Sequence, residues 1–163
     1  MSKRLFMIFG LVLALVVASM AFTPSVSRAQ CRVSDPDLNG AWNNVDPNTR
    51  GITRVDVRFQ CGDYRICDES GRCYTPRTGY YIHVYGACHP YDCDWGEVEA
   101  YELSGGHVLY ARYDHGFAQR SLFAWVVRDG SRAGQLAVYW STHFTDGSGR
   151  RDYSRLEHFY KVP

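Results

Sequence analysis

After Cys31 the chain consists of short strand-like runs joined by turns, with almost no helical periodicity. Eight runs are rich in Val, Tyr, Phe, Trp and Thr. They cover residues 38–45, 52–59, 80–85, 95–103, 108–113, 117–127, 135–144 and 153–160. Most connections are clusters of Asp, Asn, Gly, Pro and Ser, which are typical of turns. We therefore predict an all-β, eight-stranded antiparallel up-and-down barrel, because closure removes exposed edges. A two-sheet sandwich is the alternative.

The alternation of residue types indicates which faces of the strands are buried. In the second run Val55 and Val57 alternate with Arg54 and Asp56, which is typical of a half-buried antiparallel strand. In the seventh run, the side chains of both alternating faces are largely apolar. This pattern indicates either a second contact surface or an interior lined with aromatic side chains. An eight-stranded barrel is wide enough to be filled by side chains or to hold one small ligand.

The N-terminal residues 1–29 have the pattern of a cleaved secretory signal peptide. Lys3 and Arg4 precede an uncharged run, and Ser27 and Ala29 provide small residues before the predicted cleavage site. Cleavage after Ala21 and an uncleaved anchor are the alternatives, the latter because the apolar run approaches membrane-spanning length. We predict a single domain over residues 30–163, secreted or periplasmic, with no membrane contact after cleavage.

The charge balance excludes some partners. With 18 basic and 17 acidic side chains, the chain has no strong net charge and no long basic run. Nucleic-acid binding would require a concentrated basic surface. We therefore predict no nucleic-acid partner.

All six cysteines follow the predicted signal peptide, so they are expected to form disulfides in an oxidising compartment. They are Cys31, Cys61, Cys67, Cys73, Cys88 and Cys93. Six cysteines allow 15 connectivities. Cys88 and Cys93 flank a four-residue turn that contains Pro90, so these two are predicted to pair.

The segment 61–79 is too long for a hairpin turn and carries three of the cysteines. Within it, Cys67 and Cys73 are spaced to close a miniature hairpin with their own bridge. Cys31 is then the partner left for Cys61, because antiparallel pairing of the first two strands brings their outer ends together. The predicted barrel therefore carries disulfide-stapled loops.

One short motif resembles a known superfamily. Gly40, Trp42 and Asn44 form a Gly-x-Trp-x-Asn pattern that is similar to the first strand of calycins, in particular the avidin-type biotin binders and, more broadly, the lipocalins. The resemblance implies that Trp42 closes one end of the barrel and that Asn44 faces the pocket as a polar group. It covers only a few residues, and no later segment matches the other biotin-contacting motifs. It therefore implies a fold but no ligand.

A second motif runs over residues 86–96 as Gly-x-Cys-His-Pro-x-Asp-Cys-Asp-Trp-Gly. It resembles a recurring hairpin of small secreted bacterial domains. This resemblance implies a bacterial exported protein and adds no mechanism.

Catalytic and metal chemistry find weak support in the sequence. Glu97 and Glu99 share a strand face, as the carboxylates of a glycosidase do, but a solvated strand face has the same pattern. His89, Asp92 and Asp94 lie in or beside a tight bridged loop, which would point them apart rather than toward one ion. We predict no metal, no cofactor and no enzymatic activity.

We therefore predict a binding protein for a small molecule or saccharide, held by interior or rim aromatics and a few polar groups. The candidate ligand residues are Trp42, Asn44, Tyr85, Trp125, Tyr139 and Trp140. One alternative is a protein-interaction module, such as an inhibitor of an extracellular hydrolase, because a rigid loop docks at low entropic cost. It would present either the segment 61–79 or the bridged loop of His89, Pro90, Tyr91 and Asp92. A small hydrolase that uses Glu97 and Glu99 is the third hypothesis.

Overall fold

The computed structural model describes residues 31–163. The predicted signal peptide, residues 1–29, lies outside the described residues. Within the part that is described, no helix combines the length and the apolarity needed to span a bilayer.

Residues 31–163 contain ten β-strands and three short 3-10 helices. The strands are β1 (Gly40–Asn44), β2 (Ile52–Gln60), β3 (Ile66–Cys67), β4 (Cys73–Tyr74), β5 (Gly79–Gly86), β6 (Cys93–Leu103), β7 (Val108–Asp114), β8 (Ala118–Val126), β9 (Leu136–Phe144) and β10 (Tyr153–Lys161). All except β3 and β4 form a closed antiparallel barrel in the order β1-β10-β9-β8-β7-β6-β5-β2. The barrel closes where β10 pairs with β1, with Trp42 opposite Lys161. The predicted eight-stranded up-and-down barrel is confirmed, and the sandwich alternative is wrong.

The predicted disulfide pairs are all present. Cys31 is bonded to Cys61, Cys67 to Cys73 and Cys88 to Cys93, and no cysteine within residues 31–163 is free. The second of these bridges joins β3 to β4, which form a separate two-stranded sheet in the segment 61–79. Three disulfides in one small domain are typical of an oxidising, extracellular-type environment.

The inward faces of the barrel strands form one hydrophobic core. In β5 the side chains of Tyr80, Ile82 and Val84 are buried, and the residues between them are partly exposed. In β2 the predicted alternation is observed, with Val55 and Val57 inside. All eight barrel strands contribute to this core, so most of the interior is filled with side chains.

One end of the barrel is plugged, and we call it the closed end. The 3-10 helix Pro36–Leu38 precedes β1 there, and the side chain of Leu38 is fully buried. The indole Nε1 of Trp42 donates a hydrogen bond to the carbonyl oxygen of Leu38 (3.0 Å). The ammonium of Lys161 lies 5.2 Å from the centroid of the Trp42 ring. Trp42 therefore has the position at one barrel end that the calycin resemblance implies.

The opposite end, the open end, is surrounded by four connections at residues 45–51, 87–92, 115–117 and 145–152. The strands are irregular close to it. The β2–β5 pairing shifts register between Ile52 and Arg54, and the β5–β6 pairing shifts between His83 and Tyr85. Such irregularities redirect side chains at the rim of a barrel.

Candidate functional site

A cavity of about 340 Å³ opens between the connections of the open end. Its walls combine aromatic rings with basic side chains. The side chains that define it are Arg50, Trp95, His115, Phe117, Arg120, Trp140 and Tyr153. The Cys88–Cys93 disulfide forms part of the wall, and Gly51, Gly86, Ala87 and Asp94 complete the lining.

The aromatic part of the wall is centred on Trp95. Its ring packs edge-to-face against His115 and Trp140, with ring centroids 5.7 and 5.6 Å apart. Trp140 in turn packs edge-to-face against Tyr153 at 5.4 Å. The indole of Trp95 also lies directly on the backbone of Gly86, where an added Cβ would come within 2.6 Å of its Nε1. Only a residue without a side chain leaves room for this ring position.

The carboxylate of Glu157 holds the Trp140 side of the cavity in place. The indole Nε1 of Trp140 donates to its Oε2 (2.7 Å), as does the backbone N–H of Ile52 (3.1 Å). Its Oε1 accepts from the hydroxyl of Thr49 (2.6 Å) and from the amide of Asn44 (3.3 Å). Glu157 therefore joins β10 to the β1–β2 connection, and its oxygens are occupied.

Arg120 is a charged residue on the inward face of β8, between the buried Ala118 and Leu122. Its guanidinium carbon lies 4.4 Å from the centroid of the Trp95 ring and 5.6 Å from that of Phe117. Among residues 31–163 no carboxylate forms an ion pair with it. The buried Nε of Arg120 has no hydrogen-bond partner in the same part of the chain. Such an unsatisfied polar group is unusual in a folded protein and calls for an explanation.

His115 is coupled to this arginine. Its Nδ1 accepts a hydrogen bond from Nη1 of Arg120. Burial and the neighbouring guanidinium lower the pKa of His115, although the Trp95 backbone and Asp114 act in the opposite direction. Burial also lowers the pKa of Arg120, which stays charged because an arginine does not deprotonate in proteins. The permanent positive charge of Arg120 therefore lies beside a neutral imidazole.

The structure brings only part of the predicted ligand set to this cavity. All six of those residues lie in the described range, and Trp140 is the one that lines the cavity. Trp42 is at the closed end. Asn44 is buried inside the barrel, where its amide donates to the Ile52 carbonyl (2.7 Å) and to Glu157. Asn44 therefore does not line the cavity but helps to hold Glu157, the hydrogen-bond partner of Trp140, in place.

Tyr85, Trp125 and Tyr139, expected among the interior or rim aromatics, lie on the outer face of the barrel and do not line the cavity. Tyr85 stacks on His83, with ring centroids 4.6 Å apart. Tyr139 continues an outer aromatic row through Phe123. The strands β8 and β9 carry apolar residues on both faces, so their sequences did not distinguish inside from outside.

The bridged loop projects beside the cavity. The side chain of Tyr91 at its tip is 84% exposed, and His89 and Pro90 are also exposed. Asp92 is fixed, because its Oδ2 accepts a hydrogen bond from the hydroxyl of Thr53 (2.7 Å). Asp94 accepts from the backbone N–H of Gly96 (2.7 Å) and contacts Nε2 of His83 (2.5 Å).

The carboxylates of the hydrolase hypothesis lie outside the barrel. Glu97 forms an ion pair with Arg58 (2.7 Å). Glu99 forms one with Arg77 (3.4 Å). Neither residue lines the cavity.

Several cavity residues were not singled out as ligand residues from the sequence. The sequence did indicate Arg120, because this charged residue stands at a position of the predicted strand where the alternation calls for an apolar, inward side chain. Trp95 was visible only as part of a hairpin motif. His115 and Phe117 lie in and after a turn, and no local pattern connects them to Trp95.

Comparisons with protein-family models, with curated proteins and with solved structures found no match to this chain. The closed eight-stranded antiparallel barrel is consistent with a calycin-like architecture.

Proposed function

We propose that this protein is a secreted, disulfide-stabilised binding protein that holds a small molecule in the open-end cavity without changing it chemically. The observation that carries the proposal is the cavity itself: about 340 Å³ with aromatic walls, in a barrel whose remaining interior is packed. Its volume falls within the range of small-molecule sites, and aromatic walls with a few polar groups are the usual lining of such sites.

Pre-organisation of the walls supports a binding role. The Cys88–Cys93 disulfide and the hydrogen bonds of Glu157 hold two sides of the cavity in place without a ligand. A cavity that is already ordered loses little conformational entropy when a ligand binds. The pairing of Glu97 and Glu99 with arginines on the outer face also favours binding over hydrolysis.

Native mass spectrometry of the protein released by its own host tests this proposal. We expect a discrete excess mass over the denatured species, and we expect Ala87→Trp to remove it, because Ala87 lines the cavity and an indole there fills the space. The matched control is Ala133→Trp, which places the same side chain in an exposed connection after β8. An excess mass that persists in Ala87→Trp, or a bare mass in every sample, would contradict the proposal.

The exposure of Tyr91 favours a second candidate function, a protein-interaction module that docks through the bridged loop. An aromatic side chain that is 84% exposed on a loop fixed at both ends is a suitable anchor for a partner protein. A Pro90→Ala, Tyr91→Ala double substitution should then abolish capture of an extracellular partner and leave the barrel folded. Capture that survives this substitution would exclude the candidate.

A further inference from the structure

We infer that the ligand of the open-end cavity is an organic anion, with a flat apolar body against the aromatic walls and an oxyanion group on Arg120. The inference rests on the proposed binding function and specifies its ligand class.

The first argument is that Arg120 is partly buried without a carboxylate partner, whereas the other arginines of residues 31–163 that lack such a partner are exposed. Arg54, Arg58 and Arg150 each have a carboxylate partner, at 2.8, 2.7 and 2.5 Å. Arg120 points inward and has no such partner among residues 31–163. A partly buried guanidinium is stabilised by an anion, and here the described chain does not supply one.

The second argument is an unsatisfied donor on the guanidinium. The buried Nε of Arg120 has no hydrogen-bond partner in the described range. Nη1 of Arg120 donates to Nδ1 of His115, which is a neutral acceptor. Since Arg120 lines the cavity, a carboxylate, sulfonate or phosphate group bound there would supply the charged acceptor that the described chain does not.

The third argument is the charge of the surrounding wall. Arg50 adds a second positive charge to the lining. The oxygens of Glu157 are occupied by donors from Trp140, Ile52 and Thr49. Asp94 is bound to Gly96 N–H and His83. No carboxylate of the described wall therefore pairs with Arg120, and a negative ligand group placed against the guanidinium would supply that missing charge.

A matched pair of dyes separates the binding proposal from the charge inference. The probes are 8-anilino-1-naphthalenesulfonate and the neutral N-phenyl-1-naphthylamine, which share one ring system and differ in the sulfonate. Fluorescence titration should show the anionic dye binding about tenfold or more tightly than the neutral one. Arg120→Gln should weaken the anionic dye by about tenfold and leave the neutral dye within about twofold. The control is Arg112→Gln, which removes an exposed guanidinium that donates to Gln119, and it should change neither affinity.

The outcomes are distinct. Equal affinities for the two dyes, or an equal effect of Arg120→Gln on both, would overturn the anion inference while binding in the cavity stands. Failure of both dyes to bind, or binding that Ala87→Trp does not reduce, would overturn the binding proposal as well.

A measurement on the unaltered protein covers the case in which Arg120→Gln does not fold. 1-Naphthoate should displace the neutral dye at a concentration at which 1-naphthamide does not, because the two differ mainly in charge. Equal displacement by the acid and the amide would overturn the anion inference.

Discussion

A charged side chain at the closed end, Asp35, and one at the open end, Arg120, differ in how their polar atoms are satisfied. At the closed end the carboxylate of Asp35, 3% exposed, is bound by Nη2 of Arg128 (2.5 Å) and the backbone N–H of Asp37 (3.2 Å), and it lies 3.2 Å from Nδ1 of His107. At the open end the buried Nε of Arg120 has no partner among the described residues. Satisfied polar groups stabilise a fold, and unsatisfied ones cost free energy, so they persist where another role requires them. Asp35 therefore has the surroundings of a structural residue at the closed end, and Arg120 has those of a residue in a site at the open end.

The first prediction compares one tryptophan at each end and has the largest expected effect. Trp42→Ala should lower the free energy of unfolding by about 3–5 kcal/mol, because it removes a fully buried indole. Trp95→Ala should cost less, because Trp95 is only partly buried, yet it should abolish binding of the neutral dye. Urea unfolding and dye titration measure the two effects.

The contrast between the ends fails if both substitutions destabilise the barrel equally. It also fails if Trp42→Ala, while still folded, loses dye binding as completely as Trp95→Ala does.

The second prediction compares disulfides. The Cys31–Cys61 bridge spans 30 residues beside the closed end, and the Cys88–Cys93 bridge spans 5 at the open end. Loop-closure entropy predicts losses of about 3.6 and about 2 kcal/mol on replacement of each pair by serine. Chemical denaturation of the two double substitutions should show the larger loss of stability for the Cys31–Cys61 pair. The reverse order would indicate that the open end, and not the plug, carries more of the stability.

The third prediction concerns acid. Burial opposes ionisation of Asp35, but the hydrogen bonds from Arg128, His107 and the Asp37 backbone hold its pKa below the ordinary value of 3.8. Its contribution to stability is therefore present above pH 3.8 and is lost as the pH falls below 3.8 through the folded-state pKa. Asp35→Asn should cost about 1.5–3 kcal/mol at neutral pH.

Unfolding measured between about pH 2 and 6 tests this assignment. The ordinary pKa of 3.8, at which the loss of stability begins, lies inside this range, and the lowered pKa of the folded state lies toward its acid end. The stability difference between the unaltered protein and Asp35→Asn should shrink at the acid end. A difference that does not change with pH would contradict it.

The fourth prediction has the smallest effect on stability and a specific effect on the site. Gly86→Ala forces the indole of Trp95 to move, because the new Cβ would lie 2.6 Å from its Nε1. We expect a loss of about 1 kcal/mol in stability, at the low end of the usual cost of overpacking, since Gly86 is not at a positive φ. The affinity for the anionic dye should fall by about tenfold.

Gly79→Ala is the matched control at the other end of β5, where an added Cβ has no neighbour within 4 Å. It should change neither stability nor affinity. If both alanine variants bind the dye like the unaltered protein, Trp95 is not a wall of the binding site.

Most of the barrel could be predicted from local sequence, whereas most of the site could not. The eight predicted runs agree with the barrel strands to within two residues at each end. Turn residues and alternation are local signals, so they are readable without the fold. The inward position of Trp140 and the outward position of Tyr139 depend instead on which face of β9 meets the interior. Both phases of that strand are apolar, and its neighbours decide the outcome.

The sequence by itself determined the class of fold, the strand order and the Cys88–Cys93 disulfide. Short hairpin connections leave few alternative topologies, and closely spaced cysteines leave few partners. Only the tertiary structure decided which barrel end is plugged and which side chains surround the cavity. Trp95, Arg120 and Trp140 come from three strands, and their meeting at 4.4 and 5.6 Å follows from barrel curvature and register. Those are properties of the closed sheet as a whole, which no single strand contains.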